Sequence, residues 1–414
     1  MATQPVAAKA VHPDLSDEAL ARLSAGLAAL AEDYDRHPRF PREAFDILAS
    51  RGLIGLTVDE ALGGGGAGFV DALRVLGAVA KGEPSTALIL FMTYAFHAAP
   101  DKNARWNRRL YERLAHEAAA GRGLIGTFRV EPELGTPVRG GLPKTTARRT
   151  DTGWAITGEK IYSTGSTGLD WFAVWAKTDE QPPRLGTFLV RPDSERIAIE
   201  PEWDHLGMRA TVSHRVVFDD TPTPAEFAVD LRAPEEWAPR PGDDNRAGLW
   251  NALAIATIYD GVARAARDWL AGYLNDRVPS NLGASLATLP RVQEKFGEIE
   301  ALLLSNRVLI EQAARRADAG DVPPATDANL IKHIANANAI RAVEIGLELT
   351  GNPGISRRNS LERHYRDVLC SRIHSPQADT VLVAAGKAGL ARGAGLARGA
   401  GLARGAGLAQ GAGR

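Results

Sequence analysis

A chain of 414 residues with 49 basic and 50 acidic side chains, a formal net charge of -1 and 44% hydrophobic residues can bury a core shared by two or three domains. The near balance of charge excludes a nucleic-acid surface or a polybasic membrane anchor and leaves a small molecule as the expected ligand. One cysteine, Cys370, excludes an intramolecular disulfide and a cysteine-rich metal site, and with no signal peptide or long apolar run the expected compartment is the cytoplasm.

Residues 1–13 lack periodicity and are expected to form a loose arm. Beyond them, Ser16 with Glu18 in the first turn reads as a helix start. Leu20, Leu23, Leu27, Leu30 and Tyr34 then recur at the three- and four-residue steps of one buried helical face. Further helices are predicted over 42–51, 69–81, 84–98 and 103–120, so that 14–122 reads as an N-terminal helical domain. The glycine run Gly63 to Gly66 has neither the preceding strand nor the Lys-Ser/Thr of a phosphate loop, and reads as a flexible connection.

Over 123–238 the pattern changes to short runs rich in β-branched and aromatic residues, such as ARRTDTGWAITGEKIYSTG and DWFAVWAKT, broken by Asp-Thr-Gly and Gly-Glu turns. A small central β-barrel or sandwich domain is the expectation. Helical spacing returns over 247–274, 290–319, 327–349 and 361–370, a C-terminal four-helix bundle within 239–387. The fold class is therefore α+β, mainly α, in the order helical, β, helical. From residue 388 the chain repeats AGLARG. Leucine every sixth residue fits neither the helix nor the heptad period, and glycine weakens any helix, so 388–414 is expected to be a mostly disordered tail.

The stretch LERHYRDVLCSRIHSPQADTVLVAA, residues 361–385, ties the rest together. Glu362 precedes Arg366, and Arg363 precedes Asp367, by the i, i+4 step of a charge lattice, whose ordinary meaning is a solvated helix face. Pro376 then breaks the helical pattern, because proline disfavours helical geometry in the residue before it. His374 and Ser375 are thereby placed in a turn between two helices.

Taken with that domain order, a set of motifs resembles the acyl-CoA dehydrogenase superfamily over residues 15–387. RGLIGLTVDEALGGGGAGF is similar to the family's passage from its third helix into a Pro-Glu-x-x-Gly-Gly turn. Glu131, Pro132, Gly135 and Thr136 match a Glu-Pro-x-x-Gly-Ser flavin loop, and GEKIYSTG matches Gly-x-Lys-x-Trp-Ile-Thr-Asn. HLGMRATVSHRVVFDD matches Lys-Met-Gly-x-Arg-x-[ST] with its following strand, and ERHYRD is like Glu-x-x-x-Arg-Asp. The resemblance implies a flavin, FAD or FMN, with Thr136, Tyr162, Ser163 and Thr164 near the isoalloxazine and Arg277, Gly351 and Gly354 at the nucleotide end. It also implies a flavin reductase or an electron-transfer flavoprotein as partner, and a homotetramer, which the long apolar helices at 247–274 and 290–317 favour as well. Where the family carries an adenine-binding Gln, Glu348 stands here, and its negative charge near a pyrophosphate weakens the case for FAD.

A family dehydrogenase removes an α-proton from an acyl thioester with a carboxylate while hydride leaves to flavin N5. Counting along the family pattern places that carboxylate at Ser375, and its alternative position, on the helix that opens the last domain, at Asn251. Neither side chain is a base at neutral pH. Asp260 lies on the same helix roughly 13 Å farther along at 1.5 Å per residue. In exchange, His374-Ser375-Pro376 resembles the His-x-Pro of the dibenzothiophene monooxygenase branch, which uses reduced flavin and molecular oxygen. His97, ending LILFMTYAFH, resembles that branch's other active-site histidine. The resemblance thus implies His374, His97 and Ser375 as catalytic positions, with imidazole handling a proton near neutral pH. A reduced-flavin monooxygenase is the leading expectation, on the strength of the missing carboxylates. An acyl-CoA dehydrogenase with an unidentified base and a non-catalytic flavoprotein or scaffold are the alternatives.

Overall fold

The computed structural model describes residues 13–98, 106–135, 141–237 and 245–392. Helix α1 (Asp17–Arg36) begins where the Ser16 hydroxyl accepts the Ala19 N–H, and it buries Leu20, Leu23, Leu27 and Tyr34 as their spacing requires. Helices α2 (Arg42–Ser50), α3 (Phe69–Gly82), α4 (Pro84–Ala98) and α5 (Arg108–Ala119) complete the N-terminal layer. The predicted start of the fifth helix at 103 lies outside the described residues.

The glycine run is an ordered turn, not a flexible connection. Gly64 N–H donates to Asp59 O, Gly65 N–H to Gly55 O and Gly66 N–H to Val58 O. Gly63 and Gly66 have φ of 85° and 61°, and a Cβ on Gly64 would meet the Val58 carbonyl. Only glycine fits this fold-back.

The central domain is one hydrogen-bonded path of strands, β6-β7-β3-β2-β4-β5-β8, with β1 beside β4. The strands are β1 (Ile125–Phe128), β2 (Thr146–Thr150), β3 (Gly153–Ser163), β4 (Trp171–Thr178), β5 (Leu185–Val190), β6 (Ile197–Glu200), β7 (His214–Pro224) and β8 (Ala228–Arg232). Both β1 and β2 run parallel to β4, pairing with different stretches of it. Two strands separate β3 from β5 in that path, yet the rings of Trp154 and Phe188 lie 5.5 Å apart. The sheet therefore curls over its own core.

Helix α6 (Arg246–Asp276) is the spine of the C-terminal domain, and almost everything from Leu249 to Ala263 is buried. The apolar length of that helix is consumed inside the chain, so it gives no support to an assembly of chains. Helices α7 (Pro290–Asp318), α8 (Ala325–Thr350) and α9 (Leu361–Leu369) pack around it. Asp260 meets Asn306 while Arg267 meets Glu300, and Asn306 meets Asn338 while Glu298 meets Arg341, so α7 is antiparallel to both α6 and α8, and α6 and α8 run the same way. A last helix, α10, spans 378–392 and covers 388–392 of the repeat; residues 393–414 lie outside the described residues. Among the described residues no helix is long and apolar enough to cross a membrane.

The charged face of α9 is a seam between domains rather than a solvated surface. Arg366 is bonded to Asp35 of α1 at 2.6 and 2.8 Å and to Glu362 at 2.8 and 3.0 Å, while its Nη1 also reaches Leu206 O. Asp367 does not pair with Arg363; it is buried and accepts the Met208 N–H at 2.6 Å. Gly207 lets the two segments meet, since a Cβ there would lie 2.5 Å from Arg366 O.

Candidate active site

On the β-domain side, the two sequence motifs of the expected flavin loop are joined by a buried ion pair. Lys160 is 0% exposed, and its Nζ lies 2.6 Å from Glu131 Oε1. The same carboxylate accepts from the Thr145 hydroxyl and N–H and from Lys144 N–H. Burial pushes Lys160 down to about 8, against the pull of Glu131. Burial alone would raise Glu131, but Lys160 and Thr145 outweigh it and hold the carboxyl below its usual range. The pair anchors β3 to the 131–135 loop.

From that anchor the chain turns through Tyr162, at φ 54°. Its ring is 55% exposed and stands edge-on to Trp203 and His205, which stack on each other at 3.6 Å. Ser163 is buried, and its hydroxyl donates to Lys160 O at 3.4 Å, so it serves the strand. The Thr164 hydroxyl is half-buried and continues through Ser213 Oγ (3.0 Å) and Thr211 Oγ1 (2.9 Å) to Met208 O (2.8 Å). Thr136 lies outside the described residues. The Thr164 proton is spent inside that chain, so this surface offers an isoalloxazine an exposed flat ring at Tyr162 and a hydroxyl acceptor at Thr164.

On the C-terminal side, the 374–376 turn is held at each carbonyl. Lys332 Nζ donates to His374 O (3.1 Å) and Pro376 O (2.7 Å), and Asn251 Nδ2 donates to Ser375 O (3.2 Å). Asn251 and Ser375 are the two positions where the family pattern puts a carboxylate, and the fold brings them into contact. His374 Nε2 lies 2.6 Å from Tyr259 Oη. Burial, with Lys332 adding to it, pushes His374 down to about 4, and burial pushes Lys332 down to about 8. At neutral pH the imidazole is neutral.

His97 is buried at the end of α4, edge-on to Phe96 and near Tyr111. It lines a cavity of about 830 Å³ with Phe69, Trp106, Tyr111, Arg246 and Trp250. His374 lines a different cavity, of about 510 Å³, with Lys332, Asn336 and Arg341. The structure thus places the two histidines in separate cavities. The first turns of α6 stand between them, with Trp250 on the side of His97 and Asn251 on the side of His374.

Asp260 serves neither cavity. It is buried and bonded to Arg264 (2.6 Å) and Asn306 (3.0 Å), and burial raises its pKa despite those partners. Arg277, at the C-terminal end of α6, and Gly351 and Gly354, just beyond α8, fall at the same end of the bundle because those helices are parallel. Glu348 is bonded to Arg341 at 2.6 Å, so its charge is compensated and no longer argues against FAD.

Sequence reasoning missed Tyr259 and Lys332. Tyr259 closes the mostly apolar stretch 250–259, whose pattern suggests an apolar and aromatic wall and carries no signal of a bond to His374. Lys332 has one weak signal, an isolated cation among Ile331, Ala335 and Ala339 on α8.

A curled sheet between an N-terminal helical layer and a C-terminal helical bundle is the three-part architecture of a class of flavin-dependent oxidoreductases. Family models describing the acyl-CoA dehydrogenase N-terminal, middle and C-terminal domains match residues 11–110, 129–221 and 249–375. A putative acyl-CoA dehydrogenase, YdbM, from Bacillus subtilis is 31% identical, covering 88% of this chain and 94% of its own. L-evernosamine nitrososynthase from Micromonospora is 29% identical over 88% of both chains. The structure of KijD3 with FMN and a dTDP-linked amino-keto sugar superposes with a TM-score of 0.75 at 25% identity, covering 92% and 96% of the two chains. Butyryl-CoA dehydrogenase from Megasphaera elsdenii shares the fold, with a TM-score of 0.78 at 22% identity over 91% and 99%. This chain belongs to the acyl-CoA dehydrogenase superfamily and is a flavin-dependent oxidoreductase.

Proposed function

We propose that this enzyme is a reduced-flavin, oxygen-using monooxygenase acting on a small molecule, supplied by a separate flavin reductase, with His374 at its site and His97 lining the neighbouring cavity across α6. The observation that carries this reading is the Asn251–Ser375 contact, an amide on a carbonyl where a dehydrogenase of this family needs a carboxylate. Bound flavin would supply the redox chemistry, the β-domain surface at Tyr162 and Thr164 holding it. The chain's own part is to hold the ring and to place the His374 imidazole, neutral near pH 7, at the cavity it lines with Lys332 and Asn336, while Trp250, Phe69 and Trp106 wall the separate His97 cavity across α6. The nitrososynthase relative and the FMN-bound KijD3 neighbour are consistent with this chemistry on this scaffold.

The dehydrogenase reading draws support from the 31% identical relative and from the compensated charge at Glu348. It needs a base, and the nearest carboxylate considered from sequence, Asp260, is committed to Arg264 and Asn306. Anaerobic mixing of the flavin-loaded protein with butyryl-CoA and octanoyl-CoA separates the two. We expect no bleaching of the flavin without an added reductant; prompt bleaching would sink the monooxygenase reading.

A further inference from the structure

We propose that Tyr259 is a positioning residue that fixes the tautomer of His374, holding the imidazole proton on Nδ1 so that the group offered to the site is an Nδ1–H donor. The inference deepens the functional reading above and rests on it only for the use to which that donor is put.

The argument is one of hydrogen-bond accounting. Tyr259 is 0% exposed, in the middle of α6, and its hydroxyl has one donor to place. Among the described residues, the hydrogen bond given to that hydroxyl is the one to His374 Nε2 at 2.6 Å. Were the imidazole proton on Nε2, the ring would donate to the phenol oxygen and leave a buried O–H without an acceptor, a state that buried polar groups avoid. With the O–H donating, Nε2 accepts and the neutral ring carries its proton on Nδ1.

The surroundings keep both partners in the required state. Burial holds the Tyr259 phenol well above its usual pKa, so it remains a donor. Burial and the neighbouring Lys332 cation hold His374 down to about 4, so the ring is neutral and not an imidazolium. The carbonyls of 374, 375 and 376 are clamped by Lys332 and Asn251, which fixes the backbone that carries the ring beside Tyr259. His374 is therefore a fixed hydrogen-bond donor near neutral pH, a narrower role than that of a free acid and base.

The test is nitrogen NMR of the full-length protein with ¹⁵N-labelled histidine, the His374 signals being identified by their loss in His374→Asn. At pH 7.5, we expect a directly bonded proton on Nδ1 and none on Nε2, in the protein both with and without added FMN. A proton on Nε2, or fast averaging between the two nitrogens, would overturn the proposal. Tyr259→Phe should release the ring into averaging and lower kcat about tenfold with KM unchanged, the factor that 1.4 kcal/mol represents. An unaltered His374 spectrum in that variant would also overturn it. Because the spectrum does not depend on turnover, failure of the monooxygenase assignment shows up separately, as absence of oxygen-dependent product formation.

Discussion

Asn251 on α6 and Ser375 after α9 are 124 positions apart in the chain, and the side-chain amide of the first donates to the carbonyl of the second at 3.2 Å. Each is a position to which counting along the family pattern assigns a carboxylate, and the bond joins the side chain of one to the main chain of the other. Putting a carboxylate back should therefore create dehydrogenase character. Ser375→Glu is expected to raise the rate of anaerobic flavin bleaching by butyryl-CoA at least about a hundredfold over the parent chain, the lower end of what a positioned base contributes. Stopped-flow absorbance reads it, and identical traces from parent and variant would show that residue 375 does not face the substrate.

His374→Ala should abolish oxygen-dependent turnover, with a loss of about a hundredfold or more in kcat, while flavin absorbance of the purified protein is retained. The pH profile is equally specific. A ring held down to about 4 gives no ionisation near 6.5, so turnover attributable to His374 should stay level as pH falls from 7 to 5. Stability follows the same shift. The folded pKa lies below the ordinary 6.5, so the unfolded chain takes up the proton first, and stability is lost as pH falls from 6.5 towards 4. The buried His364, pushed down to about 3, adds to the same acid loss. Urea unfolding between pH 7.5 and 5 in an Asp367→Asn background, which removes the opposite titration of that buried carboxyl, measures it; a midpoint insensitive to pH there would contradict both shifts.

The fold was legible because its signals are local. Three- and four-residue spacing in α1 and the β-branched runs of β3 and β4 each describe a face that must be buried, and burial followed. Strands β6 and β8 were missed: Ile197–Glu200 and Ala228–Arg232, of four and five residues, are too short to carry a pattern. The site was legible only in part. His374 and Ser375 stand out because Pro376 interrupts a helix, but what surrounds them is long-range. Lys332 comes from a helix more than forty residues earlier, and Tyr259 from one more than a hundred residues earlier. The ERHYRD lattice misled for the same reason, since its i, i+4 spacing is equally that of a solvated face, and only Asp35 and Met208, brought in by the tertiary fold, turn it into a seam.

That seam makes a stability prediction. Arg366→Ala removes the shared partner of Asp35 and Glu362 and leaves two partly buried carboxylates facing each other across α1 and α9. A loss of roughly 2–3 kcal/mol is expected, the usual value for hydrogen bonds to charged groups. It should appear as a lower urea midpoint, and a change within error would place the cohesion of the three domains elsewhere.

Asp367 beside it titrates in the opposite sense from an ordinary surface carboxylate. Burial raises it to about 7 against the help of the Met208 N–H and Arg363. Between 3.8 and about 7 the folded chain therefore binds a proton that the unfolded chain has released, so this group makes stability fall as pH rises through that window. Asp367→Asn keeps an acceptor for Met208 N–H and removes the titration. The stability margin of the variant over the parent should widen as pH rises from 5 to 8, and a parent that is more stable at pH 8 would mean that Asp367 is held ionised by its surroundings.

We propose, finally, that four copies associate through the C-terminal helices. Inside one chain α6 is covered, but α7 leaves Leu304 at 51% and Val308 at 56% exposure, one turn apart on the same face, and Ile355 and Ile373 are more than half exposed as well. Large apolar side chains recurring at helical spacing on an otherwise charged helix are what a buried seam between chains requires. Light scattering of the purified protein should give four times the chain mass of 44.2 kDa. Leu304→Glu with Val308→Glu should reduce it, because two carboxylates cannot be buried in an apolar seam without partners. A parent chain that sedimented as a monomer would remove the assembly, and with it any contribution of a neighbouring copy at the Arg277 and Gly351 end of the bundle.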